Sequence, residues 1–168
     1  RALNMSTYVT TALFAAATAF VTWIFGFEWR IWGAMIAGLL VGTLIGIVTD
    51  YFTNDNKNPV RYVANASESG PAFTILSGVS YGFLSVIPAL AGIAVSALVA
   101  YNLTAPLEPG NPVYGMFGIS MAAVGMLSIV GMIISNDAYG PIVDNARGLV
   151  EMGNLGDTAL DITDSLDS

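Results

Sequence analysis

Three carboxylates recur at steps of seven residues near the end of the chain: Asp137, Asp144 and Glu151. Along a helix this step returns to nearly the same face, so the three side chains would form one acidic stripe. Residues 109–136, just before it, carry no charge. Because a carboxylate is costly in hydrocarbon, we expect such a run to end at a membrane surface. Carboxylates at that boundary are suited to holding a hard divalent cation such as Mg²⁺.

A structural explanation of the stripe is about as strong. Arg147 lies three residues after Asp144 and four before Glu151, so ion pairs within one helix could account for both acids. The Gly140–Pro141 pair is expected to bend the helix just before Asp144. The spacing alone leaves a metal site and an ion-paired helix as equal alternatives.

The composition limits which atoms could bind a metal ion and which class of protein this is. The chain has no Cys and no His, which leaves oxygen atoms as the metal ligands. It is 55% hydrophobic and 10% charged, whereas soluble domains carry roughly 25% charged residues. Acids outnumber basic residues by twelve to five, and we expect no nucleic-acid partner. The chain is therefore predicted to be an integral, multi-pass membrane protein.

The elements that must position the acids are long apolar helices. The uncharged runs lack the alternation that a membrane barrel shows, and about 20 apolar residues cross a bilayer core. The fold class is therefore all-α, a polytopic transmembrane helix bundle in a single fragment of a transmembrane domain. We predict four spans followed by a helical extension and acidic segment, at 8–27, 31–50, 71–101, 113–136 and 137–168.

The basic residues predict the orientation. Four spans put Arg1, Lys57, Arg61 and Arg147 on one side of the membrane and Arg30 alone on the other. An excess of Lys and Arg marks the cytoplasmic side. Segment 137–168 is therefore expected on the cytoplasmic side.

Small residues and prolines inside the spans favour packing roles. Gly38, Gly42 and Gly46 repeat every four residues, which predicts a face for close helix contact, with an ion path or dimer seam as the alternative. Pro88 should kink the third span. The spans contain no ionisable residue away from their ends, so we do not expect the ion gate on this fragment.

The segment between the second and third spans reads as a turn followed by a short helix. Pro59 is predicted to open that helix, which runs through Ser67, with Gly70 ending it. Lys57 and Arg61 could attract an anionic substrate, although anchoring the loop to anionic lipid is the favoured explanation.

The end of the chain is strongly acidic. Seven of the twelve acids follow residue 136. The last four recur on one helical face, where a solvated surface is favoured over a second bank of Mg²⁺ ligands; they are Asp157, Asp161, Asp164 and Asp167.

The amino-acid sequence of residues 137–152 is informative in addition to the spacing of its acids. Asp137-Ala-Tyr-Gly-Pro-Ile-Val-Asp144-Asn-Ala-Arg-Gly-Leu-Val-Glu151-Met closely resembles the signature of membrane-integral inorganic pyrophosphatases. The chain departs at Arg147-Gly148, where the family commonly has Gly-Gly. Further segments agree with the family, so that the resemblance covers about residues 31–168; they are Thr49-Asp-Tyr-Phe-Thr, Asn58-Pro-Val, Ala64-Asn-Ala-Ser and Thr163-Asp-Ser-Leu-Asp.

The resemblance implies a Mg²⁺-dependent ion pump of about sixteen helices, usually a homodimer, that hydrolyses pyrophosphate and translocates H⁺ or Na⁺. Asp144 matches the aspartate that binds the substrate through Mg²⁺, and no residue is assigned as catalytic. Dependence on K⁺ and the pumped ion stay open. Other acidic or amide residues are weaker candidates for the site: Asp137, Asn145, Glu151, Asp164 and Asp167.

The sequence is consistent with two functions of different classes. In the first, the chain is an interior fragment of such a pump, ending before the family's Gly-Asn-Thr-Thr motif and inactive without the remaining helices of the same protein. In the second, it is a non-enzymatic membrane transporter or scaffold subunit whose acids bind cations or face solvent.

Overall fold

The computed structural model describes the backbone of residues 2–167 and the side chains of 5–135 and 137–166. Every regular element in that range is a helix, which confirms the all-α prediction. The helices are α1 (Ala2–Phe25), α2 (Trp29–Thr53), α3 (Asn58–Ser67), α4 (Pro71–Thr104), α5 (Pro112–Leu127), α6 (Val130–Met152) and α7 (Asp157–Asp167), with a 3₁₀ turn at Ala105–Leu107.

Four helical stretches of the described chain are long and apolar enough to cross a membrane, as the sequence predicts. Their large apolar side chains remain exposed, for example Leu13, Phe83 and Leu98. A helix that is hydrophobic all round suits a hydrocarbon environment or contact with further helices. The fold is therefore that of a membrane-embedded bundle.

Local sequence accounts for where helices begin. Pro59 and Pro71 lie in the first turns of α3 and α4, where the missing amide hydrogen costs nothing. Gly70 precedes α4 with a φ of +117°, which glycine tolerates. The Asn111 side chain accepts a hydrogen bond from the Val113 amide at 3.0 Å and caps α5. The short helix that the sequence places at 59–67 is confirmed as α3.

The fourth stretch is divided where the sequence suggests one continuous helix. α5 ends at Leu127 and α6 begins at Val130. The Ser128 hydroxyl and amide both donate to the Gly125 carbonyl, at 2.7 and 3.3 Å, in the i→i−3 pattern that tightens a helix end. α6 then continues to Met152 with Pro141 inside it, so the helix does not end at 136. A membrane boundary near 136 stays a prediction.

α2, α4 and α5 pack together within residues Thr11–Ile129, one of two compact units. Ala34, Ala100 and Ala122 form its buried centre. A methyl group at Gly38 would overlap the Ala122 carbonyl, and one at Gly42 would come within 3.2 Å of the Met126 backbone.

Because a side chain at these two glycines would push α5 away from α2, they permit close helix approach, as predicted. Gly46 has nothing within 4 Å in the described structure and does not take part in this contact.

The second compact unit contains residues 130–167 together with residues 2–10. Within it α7 folds back onto α6. The turn between them uses left-handed backbone at Asn154 (φ 49°) and Gly156 (φ 98°). The amides of Gly153 and Leu155 donate to carbonyls of the last turn of α6, at 2.8 and 3.1 Å. These bonds satisfy the end of α6 and let the chain reverse.

Candidate acidic site on helix α6

The acidic stripe is one continuous helical face in the structure. Asp137, Asp144 and Glu151 all belong to α6, and all three side chains are exposed. The helix places them one above another at steps of seven residues. The structure therefore confirms that the three acids share one helix, while the chemical role of the stripe stays a prediction.

Asp144 stands at an exposed position beside a buried one. Val143 is only 5% exposed. Among the described residues the structure shows no hydrogen-bond or ion-pair partner for the Asp144 carboxylate. Its oxygens are therefore open to a cation or solvent.

Arg147 forms an ion pair with a residue of the next helix. Its Nε contacts Oδ1 of Asp164 on α7, and the two side chains are 44% and 47% exposed. The sequence alternatives placed its partners within α6, at Asp144 and Glu151. The turn at 153–156 brings Asp164 to Arg147 from the next helix, and the only sequence signal for this contact is the charge complementarity of the two segments.

The described residues contain no group of three or more acids arranged to hold a metal ion. Mg²⁺ is commonly bound by one or two carboxylates plus substrate phosphates. Asp144 has exposed carboxylate oxygens, which are atoms of the kind that Mg²⁺ prefers.

The weaker candidates occupy different surroundings. Asn145 follows Asp144 and is exposed, about a quarter turn around α6. Asp164 is engaged by Arg147. Asp167 ends α7, and its side chain lies outside the described residues. Among the α7 acids, Asp157 and Asp161 are exposed, as a solvated acidic face would be.

A cavity elsewhere in the chain is a feature that the sequence did not indicate. It lies between α3 and α4, encloses about 350 Å³, and is lined by aromatic and hydroxyl side chains that include Tyr62, Phe73 and Tyr81. The rings of Tyr62 and Tyr81 are 5.5 Å apart. Its lining contains no acidic side chain.

Comparison with known proteins shows several similar membrane pumps. A relative from Clostridium tetani is 40% identical over 169 residues, covering 100% of this chain and 25% of its own length. The K⁺-insensitive pyrophosphate-energized proton pump of Methanosarcina mazei is 39% identical over 159 residues, covering 94% of this chain and 23% of the relative. The K⁺-stimulated pyrophosphate-energized sodium pump of Thermotoga maritima is 33% identical over 181 residues, covering 100% and 24%.

The chain thus spans about a quarter of the length of the curated relatives that it matches. The family model described as inorganic H⁺ pyrophosphatase matches residues 1–168. This agrees with the signature at 137–152, and together with four helices able to cross a membrane it makes the chain part of an integral membrane protein. The chain belongs to the inorganic H⁺ pyrophosphatase family.

Proposed function

We propose that this chain is a segment of a pump that hydrolyses pyrophosphate to two phosphates with Mg²⁺ and couples the reaction to H⁺ or Na⁺ transport. The observation that carries the proposal is the family match over residues 1–168. The names of the relatives, which describe pyrophosphate-energized proton and sodium pumps, support it. They favour the pump over a non-enzymatic transporter or scaffold subunit.

Within this function, Asp144 is the residue of the segment that binds the substrate through Mg²⁺. Pyrophosphate is highly charged and repels a nucleophile, and bound Mg²⁺ would neutralise that charge and stabilise the leaving oxygen. The part of Asp144 is to hold and orient the cation from an exposed turn of α6. The open carboxylate and the buried Val143 beside it support this role.

The charge asymmetry supports a cytoplasmic position for the site. Four of the five basic residues are predicted on the side that carries 137–168, in accord with the positive-inside preference. Arg147 and the exposed acids of α6 and α7 would then face the compartment that supplies pyrophosphate and Mg²⁺. A cytoplasmic position for this segment follows from the charge asymmetry.

The remaining partners belong to the full-length protein. Because one open carboxylate does not complete a pyrophosphate site, other helices of the same protein must supply the other ligands, and the segment alone is expected to be inactive. We further propose a homodimer in the lipid bilayer. The relatives named above differ in their response to K⁺, so K⁺ is a second candidate cofactor.

The test replaces Asp144 with Asn in the full-length protein. We expect phosphate release from pyrophosphate to fall by about 10² or more, because a first ligand to the cation is lost; even outer-shell partners of a metal cost about 10–100-fold. Asp161→Asn, an exposed acid of α7, is the matched control and should retain activity. Near-normal hydrolysis by the Asp144 variant would remove Asp144 from the site.

The same preparation, reconstituted in vesicles, tests coupling. Acidification of the lumen or ²²Na⁺ uptake on addition of pyrophosphate, with and without K⁺, would identify the pumped ion and the cofactor. If the intact protein neither hydrolyses pyrophosphate nor moves either ion, the pump hypothesis is wrong and the scaffold alternative is favoured.

A further inference from the structure

The ion pair between α6 and α7 has a consequence for the open acid one turn away. On α6, Arg147 follows Asp144 by three residues, a spacing at which oppositely charged side chains on a helix attract one another. Arg147 also precedes Glu151 by four residues, the other attractive spacing. A guanidinium at this position therefore has acids of its own helix within reach, and the structure shows it bonded to Asp164 of α7.

The position of Asp164 depends on how α7 packs. The half-buried residues of α7 are Ala159, Leu160 and Thr163, which form one side of that helix. Asp164 is exposed at the margin of this side, next to the contact with α6. The left-handed turn at Asn154 and Gly156 reverses the chain so that this margin meets Arg147. The pair is therefore set by the fold of the α6–turn–α7 segment.

We propose that Asp164 is a positioning residue that holds the Arg147 guanidinium on α7 and so keeps it from neutralising Asp144. This inference deepens the function proposed above and rests on it, because its consequence is that Asp144 stays available to Mg²⁺. A guanidinium and a Mg²⁺ ion compete for the same carboxylate oxygens, so any Arg147 that turns toward Asp144 lowers the affinity of Asp144 for the cation.

The proposal predicts an unusual pattern for single and double variants of the full-length pump. Asp164→Asn removes the α7 carboxylate that the structure shows on Arg147, and the Mg²⁺ concentration for half-maximal hydrolysis should rise by about two- to fivefold, the range expected of an exposed ion pair. Arg147→Gln removes the competitor, so its Mg²⁺ requirement should stay at or below that of the unaltered pump. In the double variant the second change should cancel the first.

This pattern separates positioning from a merely structural role. If the pair only stabilised the packing of α7, both single variants would behave alike and the double variant would resemble them. The maximal rate at saturating Mg²⁺ should change by less than about twofold in all three, because Asp144 itself is intact. Asp161→Asn, on the same acidic face, is the matched control and should leave the Mg²⁺ requirement unchanged.

A direct readout does not depend on activity. A cryo-EM structure of the Asp164→Asn pump in metal-free buffer should show the Arg147 guanidinium within hydrogen-bonding distance of the Asp144 carboxylate. The inference is overturned if Arg147 keeps its position in that variant, or if Arg147→Gln raises the Mg²⁺ requirement as much as Asp164→Asn does. Should Asp144→Asn prove fully active, the assignment of Asp144 fails, while the position of Arg147 in the Asp164→Asn variant still tests whether Asp164 holds the guanidinium.

Discussion

Two regions of the chain are held together by different physics. In α2, α4 and α5, glycine and alanine at the contacts let the helix backbones approach closely. In α6 and α7 a left-handed turn and an ion pair between half-exposed side chains fix the arrangement. The first kind of contact tolerates almost no added atom, whereas the second tolerates substitution at a small cost in stability.

The two kinds of contact suit two different tasks, namely holding helices together and binding charged groups. Within hydrocarbon there is little hydrophobic gain from bringing helices together, so association depends on close van der Waals packing. Where water reaches them, carboxylates can remain ionised and can exchange partners. The rigid contacts thus lie between α2 and α5, and the exchangeable ones lie between α6 and α7.

The largest expected effect is in the packed region. Gly38→Ala would place a methyl group on the Ala122 carbonyl, and because this contact is backbone rather than a flexible side chain, α2 and α5 must separate. We expect the variant to lose about 1–3 kcal/mol of stability or more. Thermal unfolding of the full-length protein in detergent, followed by size-exclusion chromatography, measures it.

Gly46→Ala is the matched control, since it lies on the same helix with nothing within 4 Å in the described structure. It should unfold at the same temperature as the unaltered protein or slightly higher, because alanine favours helix. Equal losses at Gly38 and Gly46 would contradict the assignment of the α2–α5 contact to backbone approach.

An intermediate effect is expected at the turn between α6 and α7. Gly156 has a φ of +98°, and a side chain there is strained at a cost of about 1–2 kcal/mol. Gly156→Ala should therefore increase hydrogen exchange in α7 while the amides of α2 and α5 stay protected. The control is Gly148→Ala, whose added methyl group meets only the Met152 side chain at 4.0 Å. Increased exchange throughout the chain would show that the two regions are not energetically separate.

The sequence predicts the helices well because hydropathy and proline placement act locally. Pro59 and Pro71 open α3 and α4, and the charge-free runs become long helices. The glycine spacing identifies the face of α2 that packs, but the inclusion of Gly38 and the exclusion of Gly46 depend on where α5 crosses α2. Sequence periodicity carries no information on that crossing.

In the candidate site too, features that depend on one helix could be predicted from the sequence, and contacts between helices could not. The stripe that includes Asp144 follows from helical periodicity, and the motif at 137–152 identifies the family. The partner of Arg147 does not follow, because periodicity compares residues within one helix and Asp164 reaches Arg147 only through the turn at 153–156. The break after Leu127 is missed for a related reason, since no proline or charge marks it.

The smallest expected effect is that of the ion pair on stability. Arg147→Gln should destabilise the α6–α7 segment by about 0.2–1 kcal/mol, because both partners are more than a third exposed and water screens their attraction. Hydrogen exchange of α7 at low and high NaCl measures it. The difference from the unaltered protein should shrink at 1 M salt, where the Debye length is about 3 Å.

A control for general charge effects is Arg61→Gln, because Arg61 bonds to the Asp55 carbonyl and to the Asn56 side chain in the loop before α3. It should leave exchange in α7 unchanged at either salt concentration. If instead Arg147→Gln cost as much as Gly38→Ala, the pair would behave as a buried contact and not as the half-exposed one that the structure shows. A small, salt-sensitive cost is the result expected of two side chains that water reaches.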